Sequence, residues 1–124
     1  MLASSTLQTI VWTARISEAE KFYGGVLGLP LKGRSHGALV YEVGGSELRV
    51  SPVPATQPSA HTVLGFAVPD IRLMVAALVE RGIGMERIAG LPLDSSGVLL
   101  TPDGAKVAWF RDPDGNLLSI VQYA

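Results

Sequence analysis

The side chains able to do chemistry are few. There are two histidines, His36 and His61, and no cysteine. A thiolate nucleophile, a zinc–thiolate site and a disulfide framework are therefore excluded. His36 lies in a glycine-flanked loop, Gly33 to Gly37. His61 directly precedes an apolar segment, where it would act as a base or a displaced metal ligand; an exposed loop-edge imidazole is the plainer reading. No nucleophile elbow, phosphate-binding glycine loop or dinucleotide fingerprint occurs, and Gly82-Ile83-Gly84 reads as the end of a helix. Trp12, Tyr41, Trp109 and Tyr123 are aromatic surfaces that would stack on a flat molecule or else fill a core. Trp12 shares strand parity with Gln8 and Ile10, so these three point to one face.

These residues need elements to hold them. Leu7–Trp12 is rich in β-branched and aromatic types and predicts a strand. Ser17-Glu18-Ala19-Glu20 has the hydroxyl-to-carboxylate spacing of a capping box, so a helix follows with Ala19, Phe22, Tyr23 and Val26 inward, ended by Gly28 and Pro30. Strands are predicted at 29–32, 38–43 and 47–53, the last two joined by Gly44-Gly45-Ser46. Residues 52–60, with three prolines, read as a linker. The pattern then restarts. Thr62–Val68 predicts a strand, Asp70 an N-cap, Ile71–Arg81 a helix and Gly82 its left-handed stop. Strands follow near 84–88, 97–100, 106–111 and 117–123. Thr101-Pro102-Asp103-Gly104 and Asp112-Pro113-Asp114-Gly115 are turns with proline at the second position and glycine last. The chain thus repeats a βαβββ unit at an offset of about 55 residues. The fold class is α+β: a single domain, 1–124, of two modules at about 6–54 and 61–124. Paired as curved mixed sheets, they would form a trough with the helices outside and a ligand on the concave side.

Composition narrows the function classes. The chain has 124 residues, 48% of them hydrophobic and 17% charged, and glycine and proline punctuate it often. It is globular rather than disordered. Ten basic against eleven acidic residues leave −1, with no basic patch for nucleic acid. No apolar run is long enough to span a bilayer, so no membrane partner is expected. The opening MLASSTLQTIVW lacks the charged and long apolar regions of a signal peptide, and a cytoplasmic location is expected.

Two motifs carry a resemblance. Phe22-Tyr23-Gly24-Gly25-Val26-Leu27-Gly28-Leu29 resembles an FY-x-x-x-LG-[LMF] signature, and Phe110-Arg111-Asp112-Pro113-Asp114-Gly115-Asn116 resembles an F-x-DPDGN turn. Both are similar to those of the vicinal oxygen chelate superfamily: glyoxalases, bleomycin-resistance proteins and extradiol dioxygenases. The resemblance runs from about Gln8 to Gln122. It implies paired βαβββ units, a homodimer and, in the enzymes, a divalent metal held by a histidine on the first strand and a glutamate on the last strand of each unit.

Carried over residue by residue, the resemblance puts those positions on Gln8, near Arg49, on Leu64 and on Ser119. Leu64 has no donor atom, and Arg49 would repel a cation. A slip of two residues would offer Glu47 in place of Arg49, since both lie on one strand face. The resemblance therefore implies a protein without the usual metal ligands and with no cofactor, which binds a small organic molecule in the manner of the sequestering resistance members. The expected ligand-binding residues are Gln8, Trp12, Arg49, Leu64, Phe66, Trp109, Ser119 and Tyr123. Arg49 would clamp a carboxylate or phosphate bidentately, or else pair with Glu47 across the strand. The alternative is a lyase, isomerase or oxygenase of the same superfamily with its metal absent or relocated to Glu47 and His61.

Overall fold

The computed structural model describes residues 1–124. The chain divides into two compact units, Met1–Thr56 and Gln57–Ala124. No helix is long and apolar enough to cross a membrane.

In the first unit, β1 (Gln8–Thr13) leads into α1 (Ile16–Glu20), which runs on as a π-helical turn over Lys21–Val26. Three strands follow: β2 (Leu31–Ser35), β3 (Ala38–Val43) and β4 (Ser46–Pro52). The sheet order is β1-β4-β3-β2, with β1 parallel to β4 and the other pairs antiparallel. Parallel pairing of first and last strands is what a crossover helix permits. Side chains alternate between core and outside along β1 and β4, whereas Ala38–Tyr41 of β3 are all buried. Val11 and Thr13 of β1, Leu39 and Tyr41 of β3, and Leu48 and Val50 of β4 are buried together with Ala19, Phe22 and Tyr23 of the helical segment. Tyr23 packs edge-on to Phe22 at 5.0 Å between ring centroids and lies 6.2 Å from Tyr41. Each such fully buried side chain contributes roughly 1.5–3 kcal/mol.

The helix entry differs from the expected capping box. The N-cap is Arg15, whose own N–H is held by the Thr13 hydroxyl at 2.9 Å, and no side chain caps the helix. Glu20 is drawn away by Arg34, which grips its carboxylate at 2.6 and 3.1 Å. The helix has already begun at Ile16, so Ser17 lies inside it and is not the N-cap of a box with Glu20.

The second unit repeats the plan: β5 (Thr62–Ala67), α2 (Ile71–Glu80), β6 (Leu99–Leu100), β7 (Lys106–Arg111) and β8 (Leu117–Gln122), ordered β5-β8-β7-β6. Asp70 caps α2 by accepting from the N–H groups of Arg72 and Leu73. The Gln122 side chain accepts from Ile71 N–H at 3.0 Å and ties the helix start to β8. Gly82, at φ 89°, ends the helix, with Ile83 N–H bonding back to Leu78 O. The core is Ile71, Val75 and Leu78 against Ala108, Phe110, Leu118 and Ile120. The strand expected at 84–88 does not form. That segment makes one backbone bond to the sheet, Glu86 N–H to Trp109 O, and otherwise runs free of the ladder.

The DPDGN turn is a hydrogen-bonded knot. The buried Asp112 carboxylate accepts from the backbone N–H groups of Asp114 and Asn116 and from the Asn116 carboxamide. Arg111 binds the carbonyls of Ser59 and Gly115 and the Glu86 carboxylate. Gly115 has φ 82°, and a Cβ there would meet Pro58 at 3.0 Å, so glycine is required twice over.

Candidate functional site

Each sheet has one face covered by its own helix and one face that the helix leaves open. On the first sheet the open face carries Gln8, Ile10 and Trp12 from β1 and Glu47, Arg49 and Ser51 from β4. Ile10 is 49% exposed and Trp12 61% exposed. Two large apolar side chains on one strand face, at alternate positions, make a patch that water hydrates poorly.

The ladder fixes who neighbours whom. Gln8 lies opposite Glu47, and Ile10 opposite Arg49, which on its other side faces Val40 of β3. The Arg49 guanidinium is half-buried and donates to Ser35 O at 2.9 Å, with a longer contact to the Ser35 hydroxyl at 3.5 Å. It has no carboxylate partner. The ion pairs of this unit are Arg15–Glu18, Lys32–Glu47, Lys32–Glu42 and Arg34–Glu20. Glu47 belongs to Lys32 at 2.6 Å, and this hydrogen bond raises the Lys32 pKa. The Arg49–Glu47 pairing that β4 alone would allow is therefore not made. Most of the five N–H donors of Arg49 remain available.

Beyond Gln8 the open face ends in a hollow of about 580 Å³, lined by Gln8, Lys32, Glu42 and Glu47 with the Gly45–Ser46 turn. Glu42 and Glu47 stand directly opposite each other in the ladder. Like charges so placed repel, and Lys32 between them offsets the repulsion.

On the second sheet the open face carries Trp109 of β7 and Ser119 of β8, paired in register. The Trp109 indole N–H donates to the Thr62 hydroxyl at 3.2 Å. Gly65 of β5 is the neighbour of Ser119, and a Cβ at residue 65 would lie 2.9 Å from the Ser119 hydroxyl oxygen. Tyr123 follows the end of β8 and is 72% exposed.

Leu64 and Phe66 require correction. The register pairs Leu64 with Leu118 and Phe66 with Ile120, both buried in the core. Side chains alternate along a strand, so these two belong to the helix-covered face and not beside Ser119. The register shifts between Thr62 and Leu64, and counting along the sequence could not see it.

A metal is poorly provided for. No group of three or more His, Cys, Asp or Glu side chains is placed to hold an ion. His61 is exposed, and Glu47 is committed to Lys32. The groups at the expected positions, an amide, a guanidinium, an alkyl chain and a hydroxyl, do not suit a divalent cation.

Two βαβββ units with this donor set have counterparts among known proteins, and these decide the family. The profile of the Glyoxalase/Bleomycin resistance protein/Dioxygenase superfamily matches residues 6–120. The chain belongs to that superfamily. No curated protein matches it. Among solved structures, a putative glyoxalase family protein from Bacillus anthracis is similar at 19% identity and TM-score 0.72, covering 94% of this chain and 91% of its own. TnmS3, an antibiotic binding protein from Streptomyces sp. CB03234, is similar at 21% identity and TM-score 0.69, covering 100% and 99%. A lactoylglutathione lyase from Agrobacterium tumefaciens is similar at 20% identity and TM-score 0.68, covering 96% and 93%. At these identities the likeness establishes the superfamily fold, which hosts both binding proteins and enzymes.

Sequence reasoning placed Gln8, Trp12 and Arg49 on one face, and the structure brings them together there. It missed Ser35, Lys32, Glu42 and Gly65. Gly65 had a signal: a glycine inside a strand pattern marks a close approach. Ser35 and Lys32 had none, because their roles depend on the pairing of β2 with β3.

Proposed function

We propose that this superfamily member binds a small, flat organic anion on the open face of its first sheet and works by sequestration rather than by metal catalysis. The carrying observation is Arg49, a half-buried guanidinium without a counter-ion, set in register between Ile10 and Val40. A cation in such a setting is undersolvated, and a carboxylate or phosphate would complete it with two parallel hydrogen bonds. Trp12 and Ile10 supply the apolar surface on which a ring would lie, and Gln8 adds a neutral amide two residues along β1. One fact supports binding over metal-dependent catalysis: the donor set does not suit a metal.

Tryptophan emission tests the reading. Naphthalene-2-carboxylate should change emission saturably in the wild type and in Trp109→Phe, and much less in Trp12→Phe. An unchanged signal in the wild type, or a stoichiometric divalent ion in metal analysis of untagged protein, would overturn it.

A further inference from the structure

Beside α2 the second unit contains a groove of about 500 Å³, within the size range of small-molecule sites. It lies away from the open face of that unit's sheet. Arg72, Val75, Ala76 and Val79 line one wall. These residues fall at i, i+3, i+4 and i+7, so they form a single stripe about 10 Å long. Ile83 and Met85 form the apolar wall opposite, and Arg87 closes one side. Val79 is 54% exposed although it sits in an apolar groove.

Charge at the groove is uneven. Arg72 pairs with Asp94 at 2.7 Å. Arg87 donates to two carbonyls, Asp94 O at 2.6 Å and Leu93 O at 3.5 Å, and forms no ion pair. Two guanidiniums and one carboxylate leave one net positive charge. No Asp or Glu side chain lines the groove. Gly97 lines the groove at φ 85°, a left-handed backbone that favours glycine.

The geometry points to a second binding site here, for an amphipathic anion: an apolar chain or ring along Val75, Val79 and Met85 with a carboxylate on Arg87. The charge selects an anion over a cation. The stripe selects an apolar body about as long as two helical turns. This site is independent of Arg49 and of the first sheet.

Octanoate, 1-octanol and octylammonium, titrated into protein with labelled Val, Ile and Met methyl groups, provide the test. Octanoate should shift the Val75, Val79 and Met85 methyls saturably, with octanol at least about tenfold weaker, since a charge-assisted bond is the difference. Octylammonium should give no shift. Val79→Asp, at a position 54% exposed, should abolish the response while urea unfolding shows the chain still folded. Arg87→Gln should bring octanoate down to the octanol value. Arg49→Gln should leave the groove response unchanged, which separates this site from the one on the first sheet. Equal affinity for octanoate and octanol, loss of the groove response in Arg49→Gln, or self-association that occupies the groove and leaves it silent to octanoate would each overturn the assignment.

Discussion

Two residues, one buried and one at the surface, show how differently polar groups are treated in this molecule. Tyr41 is fully buried, and its hydroxyl has no hydrogen-bond partner. It lies near Gly24 in the π-helical turn, 3.6 Å from where a Cβ would stand, and burial pushes its phenol pKa up. An orphan hydroxyl carries its desolvation cost without return. Tyr41→Phe should therefore leave stability unchanged or raise it by about 1 kcal/mol, read by urea unfolding. A loss of similar size would show that the hydroxyl has a partner. Asp94 is the opposite case. Its carboxylate takes Arg72 on one oxygen and the N–H groups of Ser96 and Val98 on the other. Arg72 chiefly, then the backbone, lowers its pKa from 3.8 to about 2. Because the folded value lies below the unfolded one, its contribution to stability is present above about pH 4 and fades as pH falls toward 2. A carboxyl NMR titration should place Asp94 near 2; a midpoint near 3.8 would contradict the Arg72 contact.

Elements formed where local chemistry was sufficient, and departed from expectation where a distant partner intervened. The Asp70 cap, the Gly82 stop and the DPDGN turn depend on residues within a few positions, and all were legible in the sequence. Ser17 and Glu20 looked equally local, but the helix begins at Ile16, and Glu20 pairs with Arg34, 14 residues on. Residues 84–88 follow the helix where the repeat calls for a strand, yet they make only one backbone bond to the sheet. Leu64 and Phe66 fell on the wrong face because a count along the chain from Asp70 does not fix the pairing of β5 with β8. Arg49 was visible as a candidate, but whether it paired with Glu47 depended on where Lys32 came to rest. The DPDGN turn also gives the element-scale prediction. Asp112→Ala leaves two backbone N–H groups and one carboxamide without their acceptor, at a cost of about 2–3 kcal/mol in denaturant unfolding. A loss under about 0.5 kcal/mol would mean that water replaces the carboxylate fully.

At the scale of the whole molecule, the chain keeps the superfamily frame and carries its own set of side chains on the open faces. Packing fixes the frame: each helix lies on its own four-stranded sheet. Nothing in that packing requires metal ligands on the opposite face, so those positions can carry an amide, a guanidinium and a hydroxyl. The guanidinium is the consequential one, because it leaves a fixed positive charge within an apolar patch. Calorimetric titration of naphthalene-2-carboxylate against naphthalene-2-carboxamide, into wild type and Arg49→Gln, tests this most directly. The acid should bind the wild type at least about tenfold more tightly than the neutral amide, and Arg49→Gln should erase the difference. Equal binding of acid and amide by the wild type, or an acid preference that survives in Arg49→Gln, would contradict it.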